Sequence, residues 1–112
     1  DKLERLYNIS DLTLCFSKFG EGFPNVITES LACKVPVLSN SVGDADEILE
    51  DTGFVTTADD PKIISDEIRQ LFRKDRVLAE SASKGRLIVS SKYTKKRMVD
   101  SYCDVLCHPA RR

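Results

Sequence analysis

A glycine turn between a short apolar run and a proline-started helix restricts this chain more than any other feature. Leu12-Thr13-Leu14-Cys15-Phe16 is β-favouring, and Gly20 and Gly22 close it off. Beyond the glycines, Val26, Ile27, Leu31 and Ala32 fall at helical spacing. Pro24 takes a first-turn position, where its fixed φ and missing N–H do no harm. The reading is strand, glycine loop, helix, with the helix over residues 25–33. Such a joint points the unpaired N–H groups of the helix start at the loop mouth, which suits an anion, typically a phosphate.

Two carboxylates flank that opening. Glu21 lies in the loop, and Glu29 lies a little over one turn into the helix. Glu29 follows Asn25 by four residues, so the two share a face, and helical side chains lean back toward the N-terminus. A carboxylate there repels a phosphate and suits a vicinal diol such as a ribose. Glu21 is placed to accept from a second polyol. A phosphate held between two sugars is the outline of a nucleotide-sugar.

The stretch Glu21-Gly22-Phe23-Pro24-Asn25-Val26-Ile27-Thr28-Glu29 resembles the Glu-x7-Glu motif of the retaining family 4 glycosyltransferases with the GT-B fold. Ser30-Leu31-Ala32-Cys33-Lys34-Val35-Pro36-Val37-Leu38-Ser39 is similar to that family's following helix and strand. So are Val42-Gly43-Asp44-Ala45-Asp46-Glu47-Ile48 and Asp51-Thr52-Gly53-Phe54-Val55, and the likeness runs over residues 1–107 in order. The resemblance implies transfer from a nucleotide-sugar to an acceptor with retention of configuration. Glu21 would be catalytic, touching the donor sugar's hydroxyls. Gly22, Phe23, Pro24, Asn25 and Val26 would hold the diphosphate and sugar through backbone amides, and Glu29 would hold the ribose. No cofactor or metal is expected. The acceptor stays open: a saccharide, a lipid or a polysaccharide precursor.

Composition narrows the classes. With 17 basic and 18 acidic side chains the net charge is -1, which argues against a general nucleic-acid binder. No apolar run approaches a membrane span and no signal-peptide pattern opens the chain, so a cytoplasmic setting is expected. Peripheral contact of a whole protein with the inner membrane face stays open. Cys15, Cys33, Cys103 and Cys107 fit no zinc template, because only Cys103, Cys107 and His108 cluster. Structural thiols are expected.

Taken in order, residues 1–9 form a short amphipathic helix through Leu3, Leu6 and Tyr7, with Ile9 close behind. A strand over 12–16, the loop and the 25–33 helix follow. The run 35–38 reads as a parallel strand buried on both faces, with Pro36 near its start. Residues 44–49 make a short helix and 53–56 a third strand. Asp60 caps a helix with Pro61 first, its stripe being Ile64, Ile68, Leu71 and Phe72. Asp75 begins another, with Leu78, Ala82, Gly85 and Val89 inward. Thr94 caps the last, with Met98, Val99, Tyr102, Val105 and Leu106 as its buried face. Residues 108–112 are expected to be a disordered tail.

Alternation of strand and helix predicts an α/β fold: a short parallel sheet of about three strands flanked by helices, with right-handed crossovers. By resemblance it is the second half of a Rossmann-like GT-B C-terminal domain. The chain opens on Asp1 without Met and is expected to be an excised piece, inactive alone. The family's phosphate-neutralising Arg and Lys would precede it. The strand at 12–16 then has an open edge, through which self-association is expected.

Some patterns carry less. Gly20-x-Gly22 hints at a dinucleotide fingerprint, but its third glycine would fall at Asn25. Asp44-Ala45-Asp46 has the form of a metal motif, yet it replaces a glycine turn before Glu47. Lys92, Lys95, Lys96 and Arg97 are read as the solvated start of the last helix rather than a membrane patch. Two residues depart from the family pattern. Lys34 stands where a glycine caps the helix, and Asp44 stands where a glycine would free the turn for a donor contact. Two further functions stay open: an epimerase-like enzyme on nucleotide-sugars, or a non-catalytic donor-binding or scaffolding domain.

Overall fold

A computed structural model describes residues 1–20 and 22–108. Its elements run α1 (Lys2–Asn8), β1 (Thr13–Cys15), α2 (Asn25–Ala32), β2 (Val37–Asn40), α3 (Ala45–Leu49), β3 (Phe54–Thr56), α4 (Pro61–Phe72), α5 (Asp75–Lys92) and α6 (Lys95–Cys107). The three strands form a parallel sheet in the order β1-β2-β3. Thr13, Leu14 and Cys15 pair with Val37, Leu38 and Ser39, and Leu38, Ser39 and Asn40 with Phe54, Val55 and Thr56. This is the α/β sheet flanked by helices that the alternation predicts.

Burial concentrates where α2, α3 and α5 meet the sheet. Ile27, Leu31, Val37, Ala45, Ile48, Leu49 and Val89 form one core, with Cys15 and Tyr93 packed against it. Leu78, Ala82, Gly85 and Val89, the expected inward stripe of α5, are all buried. Gly85 lets α5 approach α2 closely, since a Cβ there would lie 2.5 Å from the Leu31 side chain. Beside this core, the Ser30 hydroxyl donates to the Val35 carbonyl at 3.0 Å and lies 2.8 Å from the Thr13 hydroxyl. That bond joins the end of α2 to β1 without leaving a buried polar group unpaired.

The second strand starts two residues later than expected, and the cause is local. Lys34 adopts φ 60, in the left-handed region. The Lys34 N–H bonds the Leu31 carbonyl and the Val35 N–H bonds the Ser30 carbonyl, each at 3.0 Å. These are the paired bonds of a Schellman helix end, so Val35 still belongs to the turn. Pro36 has no N–H to give, but its carbonyl accepts from Thr13 N at 2.9 Å just ahead of the ladder. The left-handed cap therefore forms without the glycine that would relieve it.

One burial expectation needs correction, that for α6, and the apolar stripes of α1 and α4 are only partly covered. In α1 only Tyr7 is buried, while Leu3, Leu6 and Ile9 are exposed. A seven-residue helix touches the domain at one point, so its stripe is mostly uncovered. In α4 no residue is fully buried: Ile64, Ile68 and Leu71 are half-buried and Phe72 is exposed. In α6 the expected buried face of Met98, Val99, Tyr102, Val105 and Leu106 is exposed throughout. Periodicity identifies an apolar face, but a face is buried only where another element lies over it. Of the tail expected at 108–112, His108 is exposed and residues 109–112 lie outside the described residues.

Candidate functional site

The site grows from the carboxyl ends of the first two strands, where ligands of open parallel sheets gather. As the chain leaves β1, Ser17 is held by Asn40 at the end of β2. The Ser17 N–H donates to Asn40 Oδ1 at 3.1 Å, and Asn40 Nδ2 donates to the Ser17 carbonyl at 2.6 Å. Gly20 then turns with φ 85, a conformation that L side chains rarely adopt. The Gly22 carbonyl accepts from the Asp44 N–H at 3.0 Å, which ties the glycine loop to the turn before α3. The Asp44 amide is thus committed to the loop. Glu21, the expected catalytic residue, lies outside the described residues.

Pro24 is the N-cap of α2, one position before the first-turn place expected of it, and among the described residues no side-chain cap bond is made there. The Ile27 N–H returns to the Pro24 carbonyl at 3.0 Å, which tightens the first turn. Asn25 and Val26 are exposed in that turn. Phe23 points its ring at Tyr93, with centroids 5.4 Å apart and planes inclined by 53°. Its side chain keeps an exposed face beside this contact, and its backbone lies in the loop. A Cβ at Gly22 would meet nothing within 4 Å, so the loop mouth is open.

Glu29 is exposed on the second turn of α2, and Tyr7 Oη donates to its Oε2 at 3.1 Å. Burial, together with the hydrogen bond and the negative charge of Glu29, pushes the Tyr7 phenol up to about 12. The phenol therefore stays a protonated donor through the neutral range. A carboxylate has about four acceptor positions and Tyr7 uses one, so Glu29 keeps capacity for hydroxyl donors.

A hollow of about 670 Å³ opens beside the loop, lined by Phe23, Asn25 and Thr28 on one side and by Tyr93, Arg97 and Tyr102 on the other. Lys92 borders it too. Its ammonium reaches Glu47 Oε1 at 3.3 Å and sits 5.4 Å from the Tyr93 ring centroid, and the bond to Glu47 raises its pKa. The pair is solvent-exposed and adds little stability. In the aspartate-rich turn, the Asp46 carboxylate accepts from the Ser41 hydroxyl. Among the described residues no group of three or more His, Cys, Asp or Glu could hold a metal ion. No helix among them is long and apolar enough to cross a membrane.

The structure thus gathers Gly22, Phe23, Pro24, Asn25, Val26 and Glu29 around one helix start. Two residues of the arrangement escape sequence reasoning. Tyr7 reads as one apolar position of α1, although a buried tyrosine needs a partner for its hydroxyl and that need is a usable signal. Asn40 follows an apolar run and gives no local hint that it clamps Ser17.

Known proteins share this fold. The sequence model of a family described as "Glycosyl transferases group 1" matches residues 1–74. N-acetyl-alpha-D-glucosaminyl L-malate synthase of Bacillus anthracis is 28% identical over 104 residues, 91% of this chain and 27% of its own length. The crystal structure of Anabaena Alr3699/HepE in complex with UDP is 26% identical, with a TM-score of 0.83, over 92% of this chain and 29% of that one. The same protein is also known in complex with UDP-glucose. Sucrose-phosphate synthase of Thermosynechococcus elongatus, 20% identical with a TM-score of 0.78 over 91% of this chain and 27% of its own, shares the fold. The chain spans somewhat over a quarter of the length of each.

Proposed function

The chain belongs to the glycosyl transferases group 1 family, and from that premise we propose that residues 1–107 are the donor-side part of a retaining, family 4 glycosyltransferase. They correspond to the second half of a GT-B C-terminal domain. The whole protein transfers a hexose-type sugar from a nucleoside-diphosphate sugar to an acceptor. One observation carries this reading. The start of α2 carries no side-chain cap bond among the described residues, stands at the carboxyl ends of parallel strands, and carries Glu29 one turn further on. Similar solved structures hold UDP and UDP-glucose, which supports a uridine nucleotide as the first donor to test.

In this mechanism the amides of residues 22–26 and the positive end of α2 take the diphosphate, while Glu29 takes the ribose hydroxyls. Glu21 holds the donor sugar near the reacting carbon. Stabilising the charge that grows on the leaving diphosphate is the main task, shared with cations from other parts of the protein. No step is assigned to a metal. With the phosphate-neutralising cations and the acceptor assigned to other parts of the protein, these residues do not turn over alone. By itself it pairs edge to edge with a second copy through residues 12–16, where Leu14 is half exposed on an edge strand. A monodisperse monomer in concentrated light scattering would overturn that pairing.

The function is tested on the full-length protein with a nucleotide-sugar panel and proton NMR of the product's anomeric coupling. Retained configuration is expected, and Glu21→Gln should lower kcat by roughly 100-fold while donor binding persists. An inverted product overturns the retaining assignment. A product formed without acceptor indicates an epimerase-like enzyme. Unchanged turnover in Glu21→Gln removes the catalytic role, and donor binding without any turnover indicates a binding or scaffolding domain.

A further inference from the structure

We propose that Tyr7 is a positioning residue for donor recognition: its hydroxyl fixes the Glu29 carboxylate in the orientation that meets the sugar diol of the nucleotide. The inference rests on the reading of Glu29 as the ribose-binding acid. Four observations carry it. Tyr7 is the one buried residue of α1, with 8% of its surface exposed, so α1 is anchored through this side chain. Its Oη lies 3.1 Å from Glu29 Oε2, a contact across 22 residues of sequence that joins α1 to α2. Glu29 itself is exposed and has three side-chain torsions, so without a partner it would sample many rotamers. Finally, the phenol keeps its proton far above neutral pH, so it donates throughout the working range.

A hydroxyl that donates to one carboxylate oxygen leaves the other to accept from a ligand, and it selects which way that oxygen faces. Holding the carboxylate before the ligand arrives removes the ordering cost from the binding step. Tyr7 touches no substrate in this arrangement. Its effect passes entirely through Glu29, and the benefit goes only to ligands that bear the hydroxyls Glu29 reads.

That last point separates positioning from packing. The full-length protein is titrated calorimetrically with UDP, ADP and GDP, and the tightest binder is then compared with its 2′,3′-dideoxy analogue. Wild type should prefer the ribonucleotide by about tenfold, the scale of one or two hydrogen bonds to a charged group. Tyr7→Phe keeps the ring and should lose most of that preference, with dideoxynucleotide affinity unchanged. Glu29→Gln should lose it as well, and the double variant should be no worse than Glu29→Gln alone. Glu29→Asp withdraws the carboxylate from the hydroxyl while keeping Tyr7 in place. It should repeat the loss, but it also draws the acid back from the ligand, so the Tyr7 role is read from Tyr7→Phe, whose unchanged dideoxynucleotide affinity shows that the site is folded. Equal weakening of both nucleotides in Tyr7→Phe, or no change, overturns the positioning role while Glu29 keeps its own. A preference that survives Glu29→Gln, or no binding by any of the three nucleotides, overturns the donor-site reading and the inference with it.

Discussion

Asn40 holds both backbone polar groups of Ser17, accepting from its N–H at 3.1 Å and donating to its carbonyl at 2.6 Å. A side-chain amide can stand in for a strand in this way because it carries a donor and an acceptor side by side. The pairing extends the β1–β2 contact beyond the ladder and sets where the glycine loop departs. Asn40→Asp is nearly isosteric but turns the donor into an acceptor facing the Ser17 carbonyl. It should cost about 1–3 kcal/mol in urea unfolding and also weaken nucleotide binding. A variant with wild-type stability and affinity would show that the loop is placed without this clamp.

The α2 terminus makes a prediction of the opposite sign. A non-glycine residue in the left-handed region costs about 1–2 kcal/mol, and Lys34 stands there at φ 60. Glycine relieves the strain but adds freedom to the unfolded chain. Lys34→Gly should therefore gain roughly 0.5–1 kcal/mol, seen as a higher urea midpoint with an unchanged m-value. Lys34→Ala keeps the Cβ and should show no such gain. If the glycine variant is no more stable than wild type, the turn is unstrained.

Gly85 supports a third prediction. A Cβ at this position would lie 2.5 Å from Leu31 Cδ2, and Leu31 is fully buried. Alanine improves helix propensity by up to about 1 kcal/mol, whereas overpacking a filled core costs about 1–3 kcal/mol. The packing cost should win, so Gly85→Ala is expected to lose roughly 1 kcal/mol. Pairing it with Leu31→Ala should give a non-additive cycle, because the second change makes room for the first. Additive losses would mean that the two residues do not crowd each other.

How far the sequence alone leads depends on the range of the interaction. Gly85 and its stripe on α5 are legible because burial there repeats with the helical period, and so is the strand–loop–helix joint at residues 12–33. The end of α2 is less so: the resemblance marks position 34 as one where glycine caps the helix, but the Lys34 side chain itself gives no sign of a left-handed turn, which is set by carbonyls at Ser30 and Leu31 seeking partners. Tyr7–Glu29 and Asn40–Ser17 are side-chain bonds spanning 22 and 23 residues, which no local pattern encodes. The apolar face of α6 has the right period, but period says nothing about what covers it.

Burial of the Tyr7 phenol, together with its bond to Glu29, also makes stability fall at alkaline pH. The phenol's folded pKa of about 12 lies above its ordinary value of 10.0. A raised folded pKa means that the native state binds the proton more tightly than the unfolded state. The resulting stability is complete below pH 10 and drains away as pH rises through the folded value, over pH 10 to about 12. Linkage makes this on the order of 1–3 kcal/mol. Lys92 titrates toward the same side, since its raised pKa also favours the folded protein below that range. Wild type must therefore be compared with Tyr7→Phe, which removes only the phenol. Denaturant unfolding at half-unit steps from pH 9 to 12 should show a steeper decline in wild type, with the two curves converging near pH 12. Parallel curves would mean that the phenol titrates alike in both states and that neither burial nor Glu29 holds its proton.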